Sequence, residues 1–560
     1  MRLKTFFSKT NIKATLFAAC FLSINASVVA APKLVVQIVV SGMRYDYLER
    51  FGSNFTNDGF KSFYTDGIVY KNAHYGYMLT TTEAGLATIS TGTNPSTHGI
   101  TGSYWINSTN GQRESLIEDS KVIGIGCDLG VGNYSPANLD ISTLGDKLSQ
   151  HDTLSRVVSI AIDASSAVIS GSANAHTYWL DRGRGSWISS TAYFKDLNKW
   201  VVEYNNKGYS SLYSEIDWKL FNPISTYKNT QSTIIERTEK GSTTISFEKF
   251  KQYFEKAFGD NVSETNRANP SSKWVDFSKK LYTPVGNKIL CDFASKLILE
   301  ESLGKDEHTD LLTICFDSPR YMSEMFGPES IELEDSYYQL DRDLGNLLKS
   351  IYAQSRREDV VVVLCSDHGS SNSVESDKNF MFNRSSYMMI MNSFLSAQYE
   401  PGDWVLDYNN RQLYLNRTLI YKYGFSLEEI QNKVAAFSLQ YRGVSHAITS
   451  TALQNGYFGS GYAAAMYNSF YPRRAGDVTI NLMPGWIEKR GTIRASSGSL
   501  YEYDTHVPLM IRGGKLKAGT IISTDVDMTS IAPSLARIMG IEIPDASTNQ
   551  TLDDVINAYQ

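Results

Sequence analysis

An α/β fold with a mostly parallel central sheet flanked by helices is predicted by three observations. Leu34–Val40 is a short, β-branched, nearly all-apolar run, the pattern of a strand covered on both faces. Asp310–Phe316 and residues 359–365 read the same way. Between these last two, residues 330–353 place Leu333, Tyr337, Leu340, Leu344, Leu347 and Leu348 at helical spacing. Strand, helix and strand at this distance form a βαβ unit, which implies parallel pairing.

The elements follow in chain order. Arg2, Lys4, Lys9 and Lys13, an apolar stretch over 14–24 and the small residues Val28-Val29-Ala30 make residues 1–30 a secretory signal peptide, cleaved near Ala30. Cys20 after Phe17-Ala18-Ala19 offers a lipid-anchored alternative, but the apolar run continues past it. The mature chain is expected to be secreted or periplasmic. No later stretch reaches about 18 apolar residues, so no transmembrane segment is expected. Losing the leader's four cations takes the formal charge from −6 to −10. That acidity argues against a nucleic-acid partner. Hydrophobic residues make up 42% and charged residues 20% of the chain, which excludes general disorder. Cys127, Cys291, Cys315 and Cys365 show no CxxC spacing, so neither a disulfide framework nor a zinc knuckle is expected.

Ser41-Gly42-Met43-Arg44 after the first strand is a strand-to-helix turn. Residues of about 175–285 and 375–490 are rich in aromatic and small polar residues without clean helical periodicity, and read as cap insertions in one domain over 31–560. Near the end, Pro533 suits a first helical turn and Gly540 a stop.

Ligands of open parallel sheets bind beyond the carboxyl ends of strands. Three such ends carry polar residues here: Ser41, then Asp317 to Arg320, then Asp367-His368. Asp367 and His368 are either zinc ligands or a capping Asp beside a surface His. Thr82 stands where a helix begins, as an N-cap or as a nucleophile favoured by helix-start N–H groups. His506, in a polar turn before an apolar run, is either a late metal ligand or a structural histidine.

Taken together, these residues resemble the alkaline phosphatase superfamily and, within it, the secreted PafA-type phosphomonoesterases. The likeness runs over 38–47, 91–102, 178–181, 283–287, 326–341, Ser366-Asp367-His368-Gly369 and Asp504-Thr505-His506-Val507-Pro508. It implies two zinc ions that bind phosphate, activate the nucleophile and stabilise the leaving oxygen. It places the nucleophile at Thr82 and retained metal ligands at Asp367, His368 and His506. The remaining ligand positions fall on Ser41, Arg320 and Glu324, all substituted. Arg320 offers no lone pair to a metal. The phosphate-gripping positions fall on Ser103, Asp163 and Ser165, also changed. Arg320 and Glu324, four apart, share a helix face and can pair. The expectation is a pseudophosphatase with at most one zinc ion or none, binding a phosphate or phosphate ester or serving as a scaffold. The alternatives are an active hydrolase using Thr82 with one metal, or a two-metal enzyme with replacement ligands such as Asp317 or His176.

Overall fold

The computed structural model describes residues 30–559 apart from 215, 236–243, 246, 259–276, 375–379, 492 and 549. The leader, with Cys20, lies outside the described residues but for Ala30.

Ten strands form the central sheet. In chain order they are β1 (Leu34–Val40), β2 (Gly67–His74), β3 (Gly124–Ile125), β4 (Val157–Ala161), β5 (His176–Asp181), β6 (Ser186–Ser190), β7 (Asp310–Phe316), β8 (Val360–Cys365), β13 (His506–Gly513) and β14 (Thr520–Asp527). Across the sheet they run β14-β2-β13-β8-β1-β7-β4-β5-β6-β3. The central five, β8, β1, β7, β4 and β5, are parallel, while β13 and β6 join antiparallel. Every residue of β1, β7 and β8 is buried, as expected of strands covered on both faces. Cys315 and Cys365 are fully enclosed in the core and, with Cys127 and Cys291, unpaired. Register aligns Val40 with Phe316 and Val39 with Cys365. Ser41, Asp317 and Asp367 therefore leave the sheet side by side at one edge.

Six helices matter for the site and its support: α1 (Thr82–Thr91), α2 (Ala164–Ser170), α3 (Pro284–Glu300), α4 (Ser318–Phe326), α5 (Ile331–Gln354) and α6 (Ile531–Met539). The long helix read between β7 and β8 is α5. Ser330 caps it by accepting the Leu333 amide at 3.2 Å, and its Leu333, Leu340 and Leu344 pack in one core with Leu290 of α3. Gly540 ends α6 in a left-handed conformation (φ 71°) that a side chain would strain.

The caps differ from expectation in one boundary. Residues 176–181 pair parallel with β4, and 186–190 continue the sheet, so the first insertion starts beyond residue 190 rather than at 175. Tyr178, Trp179 and Leu180 are buried there, and an aromatic-rich strand carries no alternating signal when both faces are covered. The insertion is held by the first turn of α5. Asp335 accepts from Trp218 Nε1 and the Phe221 amide, Glu334 from the Lys228 and Asn229 amides, and Glu332 from the Thr233 and Ile234 amides. Carboxylates are favoured at that positive helix end. The second insertion carries a sheet of β9 (Val405–Asn409), β10 (Gln412–Leu415), β11 (Val444–Thr449) and β12 (Val478–Leu482) over its own core, with Trp404, Tyr387 and Phe382 inside.

Two measurements test this framework. Ser330→Ala removes the α5 cap and should cost about 1 kcal/mol in a denaturant titration. Asp310, at the amino end of β7, accepts the Arg156 and Gly304 amides. Burial is the largest influence on it and pushes its pKa up to about 6. A folded pKa above the unfolded one means that this group's contribution to stability falls as pH rises from about 4 to about 6. Asp310→Asn should flatten that part of a melting-temperature profile.

Candidate functional site

The carboxyl edge of β8 supplies the first part of the site. Asp367 is completely buried, and a buried carboxylate must be hydrogen-bonded. The Ser41 hydroxyl donates to Oδ2 at 2.6 Å and the Gly42 amide to Oδ1 at 3.0 Å. Gly42 has φ 74°, and a Cβ there would press on the Arg320 backbone at 3.3 Å. The neighbouring His368 has Nδ1 2.6 Å from the Gly369 carbonyl. A carbonyl only accepts, so Nδ1 carries the proton and, in the neutral ring, Nε2 presents its lone pair. That lone pair faces Thr82 Oγ1 at 3.1 Å. Thr82 Oγ1 is also 3.4 Å from Ser41 Oγ.

Thr82 is the first residue of α1, but it does not cap it. Thr81 does, accepting the Ala84 amide, which leaves the Thr82 hydroxyl for the site. Helix α1 also presses on the β8 end: a Cβ on Gly85 would meet the Asp367 carbonyl oxygen at 1.9 Å. Only glycine permits that approach.

The second part comes from α4 and the start of α2. Arg320 donates through Nη2 to Asp163 Oδ2 at 3.1 Å and through Nη1 to Glu324 Oε1 at 3.4 Å. Its guanidinium lies over the Tyr321 ring, 4.6 Å from the centroid. Burial works against its charge, but Glu324, Asp163, Asp317 and Asp367 outweigh burial and raise its pKa. Asp317 is bonded by the Asp163 amide (2.8 Å) and the Ser166 hydroxyl (2.7 Å); burial first, then the Asp163 charge, push it up to about 7.

A cavity of about 360 Å³ joins these parts to the second cap. Thr82, Ser103, Asp163, Ser165, Arg320 and Glu324 line it from the core, and Arg384, Arg411, Glu488 and Arg490 from the cap. Ser496 and Ser497 close it from the segment before β13 and share a narrow recess with Arg320, Glu324 and His368. The structure thus brings together nine of the ten expected site residues.

His506 is the exception. Its ring lies between Tyr45 (4.6 Å) and His74 (4.4 Å), and its Nε2 contacts the Lys71 carbonyl at 2.7 Å. It borders a separate cleft with Arg44 and Glu502. It is the first residue of β13, so its side-chain direction follows the pairing with His74 of β2 rather than the turn before it. The proposed replacements fare differently. His176 starts β5, at the amino edge of the parallel strands, and meets Glu301 at 3.2 Å, away from the site. Asp317 is next to the site but is taken up by its own bonds. Sequence reasoning missed the cap residues Arg384, Arg411, Glu488 and Arg490, and also Ser496-Ser497. The polar run Ala495-Ser496-Ser497-Gly498-Ser499 was the one local signal for the last two.

Among the described residues, no group of three or more His, Cys, Asp or Glu side chains could hold a metal ion. None of their helices is long and apolar enough to cross a membrane.

A mostly parallel sheet with a threonine hydroxyl at a helix start and an Asp-His pair at its carboxyl edge defines a class. The family model described as type I phosphodiesterase / nucleotide pyrophosphatase matches residues 35–494. The chain belongs to that family, within the alkaline phosphatase superfamily. It is 30% identical over 545 residues to alkaline phosphatase PhoV of Synechococcus elongatus, covering 95% of this chain and 94% of that one. It is 29% identical over 567 residues to a Myroides odoratus protein named calcium-transporting ATPase, covering 98% and 100%. The crystal structure of wild-type alkaline phosphatase PafA superposes with a TM-score of 0.83 at 26% identity, covering 94% of this chain and 99% of that one.

The close approach at Gly85 is testable. Gly85→Ala must displace α1 from the β8 end, and overpacking of this kind typically costs about 1–3 kcal/mol. A melting temperature unchanged from wild type would show that α1 does not bear on Asp367.

Proposed function

We propose that this chain is a secreted or periplasmic alkaline-phosphatase-family protein that binds a phosphate ester without a two-zinc centre and hydrolyses it negligibly. The leader-like first 30 residues support the compartment. One observation carries the reading of the site: the Arg320 guanidinium pairs with both Asp163 and Glu324, so the cation that these two carboxylates face is a protein side chain. Two zinc ions do not fit these residues. Arginine has no lone pair to donate, and a dication beside it would meet repulsion that low dielectric amplifies. Ser41 donates its proton to Asp367 rather than adding a carboxylate. At most one zinc ion, at Asp367 and His368, is compatible with this set. Ser103, Asp163 and Ser165 lack the cations that would neutralise a phosphate from the core side; the one core-side arginine of the cavity, Arg320, is paired with Asp163 and Glu324, and the others are on the cap.

A second reading is favoured by the 3.1 Å approach of Thr82 Oγ1 to His368 Nε2. It keeps Thr82 as nucleophile in a hydrolase with one metal, in line with the phosphatase names of the relatives. Losing one transition-state electrostatic contact costs about 10²–10³ in rate, and losing a metal costs more.

The experiment is metal content of the purified protein by mass spectrometry, together with hydrolysis of p-nitrophenyl phosphate at alkaline pH. Fewer than two zinc ions per chain and negligible turnover are expected. Two bound zinc ions with turnover abolished by Thr82→Ala would overturn the proposal. Rebuilding gives a sharper check. Ser41→Asp with Arg320→Asp and Glu324→His should recover zinc only weakly, because His506 does not reach the recess. Adding Ser497→His, which does face it, should raise zinc occupancy further.

A further inference from the structure

The second cap contributes a residue that is strained in its backbone and unsatisfied in its side chain. Strands β9 and β10 turn at Asn410 (φ 45°) and Arg411 (φ 65°). Two consecutive left-handed residues make the tight hairpin turn that ordinarily takes glycine second. Asparagine tolerates this conformation; a long arginine gains nothing from it. The turn is nonetheless pinned to the core. Asn409 Nδ2 donates to the Tyr104 carbonyl at 2.8 Å and Asn410 Nδ2 to the Thr101 carbonyl at 3.1 Å. A Cβ on Gly102 would collide with Asn410 Nδ2. The hairpin tip is therefore held over the cavity with Arg411 turned inward.

The Arg411 side chain is 4% exposed. Nε donates to the Gly498 carbonyl at 3.2 Å. Nη1 lies 3.3 Å from Glu488 Oε1 but makes no hydrogen bond among the described residues. A guanidinium has five N–H donors, and a buried one whose Nη1 is left without a hydrogen-bond partner calls for an acceptor. Glu488 does not serve Arg411 alone. It also accepts from the Tyr408 hydroxyl at 2.8 Å and from Arg490 Nη2 at 3.2 Å. Residues held in costly conformations cluster at ligand clamps, where the surroundings over-determine them.

The rest of the cavity narrows the ligand. Its wall is polar, with hydroxyls from Thr82, Ser103, Ser165 and Ser497 and few apolar groups. Its arginines are matched in number by carboxylates (Glu83, Asp163, Glu324 and Glu488), so a bare anion gains little net attraction. A ligand that brings an oxoanion for the guanidinium forks and hydroxyl donors for the carboxylates matches both. Forked, charge-assisted bonds from arginine suit phosphate and sulfate oxygens alike. A volume of about 360 Å³ is at the small end for ligand pockets, near 300–1,000 Å³.

We propose that Arg411, with Arg490 beside it, is a metal-independent clamp for the oxoanion of a polyhydroxylated ester, a sugar phosphate or sugar sulfate, whose hydroxyls are read by Asp163 and Glu324. This rests on the reading of the site as lacking two zinc ions, but it fails separately from that reading.

Calorimetric titration of the full chain, stripped of metal by chelation, tests it with glucose 6-phosphate, glucose 6-sulfate, inorganic phosphate and glucose as probes. Saturable binding is expected for at least one of the two esters, and which one binds identifies the oxoanion. Inorganic phosphate and glucose should each bind at least roughly tenfold more weakly, because each satisfies one half of the cavity. Arg411→Gly relieves the turn and removes the clamp; it should weaken ester binding at least about tenfold without lowering the melting temperature by a matching amount. If that variant does not fold, Arg411→Lys decides: it keeps a cation for Glu488 but loses the fork, and should also bind about tenfold more weakly. No saturable heat with either ester, or wild-type affinity in Arg411→Lys, overturns the proposal. Ester binding followed by zinc-dependent hydrolysis would instead leave the clamp standing and refute the non-hydrolytic reading.

Discussion

One cation organises the core side of the site. Arg320 is mostly buried and bears on Asp163, Asp317, Glu324 and Asp367 at once. A buried charge without partners would be too costly to keep, and so would the carboxylates around it. The arginine and its surroundings are therefore interdependent. Asp163 and Glu324 are its partners, and the Ser41 hydroxyl bonds Asp367. The Tyr321 ring beneath the guanidinium and Gly42 behind it complete a seat shaped for this side chain.

That seat depends on the sheet. Because β1, β7, β4 and β8 are parallel and in register, their carboxyl ends deliver Ser41, Asp317, Asp163 and Asp367 to one edge. Helix α1 then closes on this edge through Gly85, which brings the Thr82 hydroxyl to His368. Family membership explains why the frame is so close to that of a phosphatase. The chemistry possible within it is set by a handful of charged side chains at the strand ends, Asp163, Arg320 and Glu324 among them, which pair with one another.

Much of this was legible in the sequence. The buried strands β1, β7 and β8 announced themselves as β-branched apolar runs, and α5 as a leucine-rich stripe at helical spacing. Ser41, Asp367, His368 and Arg320 could be named because they stand just beyond such strands, and strand ends are where ligands bind; Thr82 was marked by its helix start, and Glu324 only by the resemblance to the phosphatase family. The pairing of Arg320 with Glu324 followed from helical spacing alone. His506 was misplaced for the opposite reason. It opens a strand, where side chains alternate between faces, and one residue's difference decides which face it takes. The polar segment at Ser496-Ser497 faces Arg320 instead, with no periodicity to mark it.

The sequence by itself determined the order of the elements and the parallel sheet, because burial and periodicity are local properties of the chain. Only the tertiary structure decided that β5 and β6 extend the sheet, since strands covered on both faces show no alternation. It alone decided that the cap supplies Arg411, Glu488 and Arg490 to the same cavity. Those residues lie some 330 to 410 positions from Thr82 in the chain, and no local pattern encodes a contact at that separation. The left-handed turn that aims Arg411 inward is held by Asn409 and Asn410 against the Thr101 and Tyr104 carbonyls, so its cause is in another segment altogether.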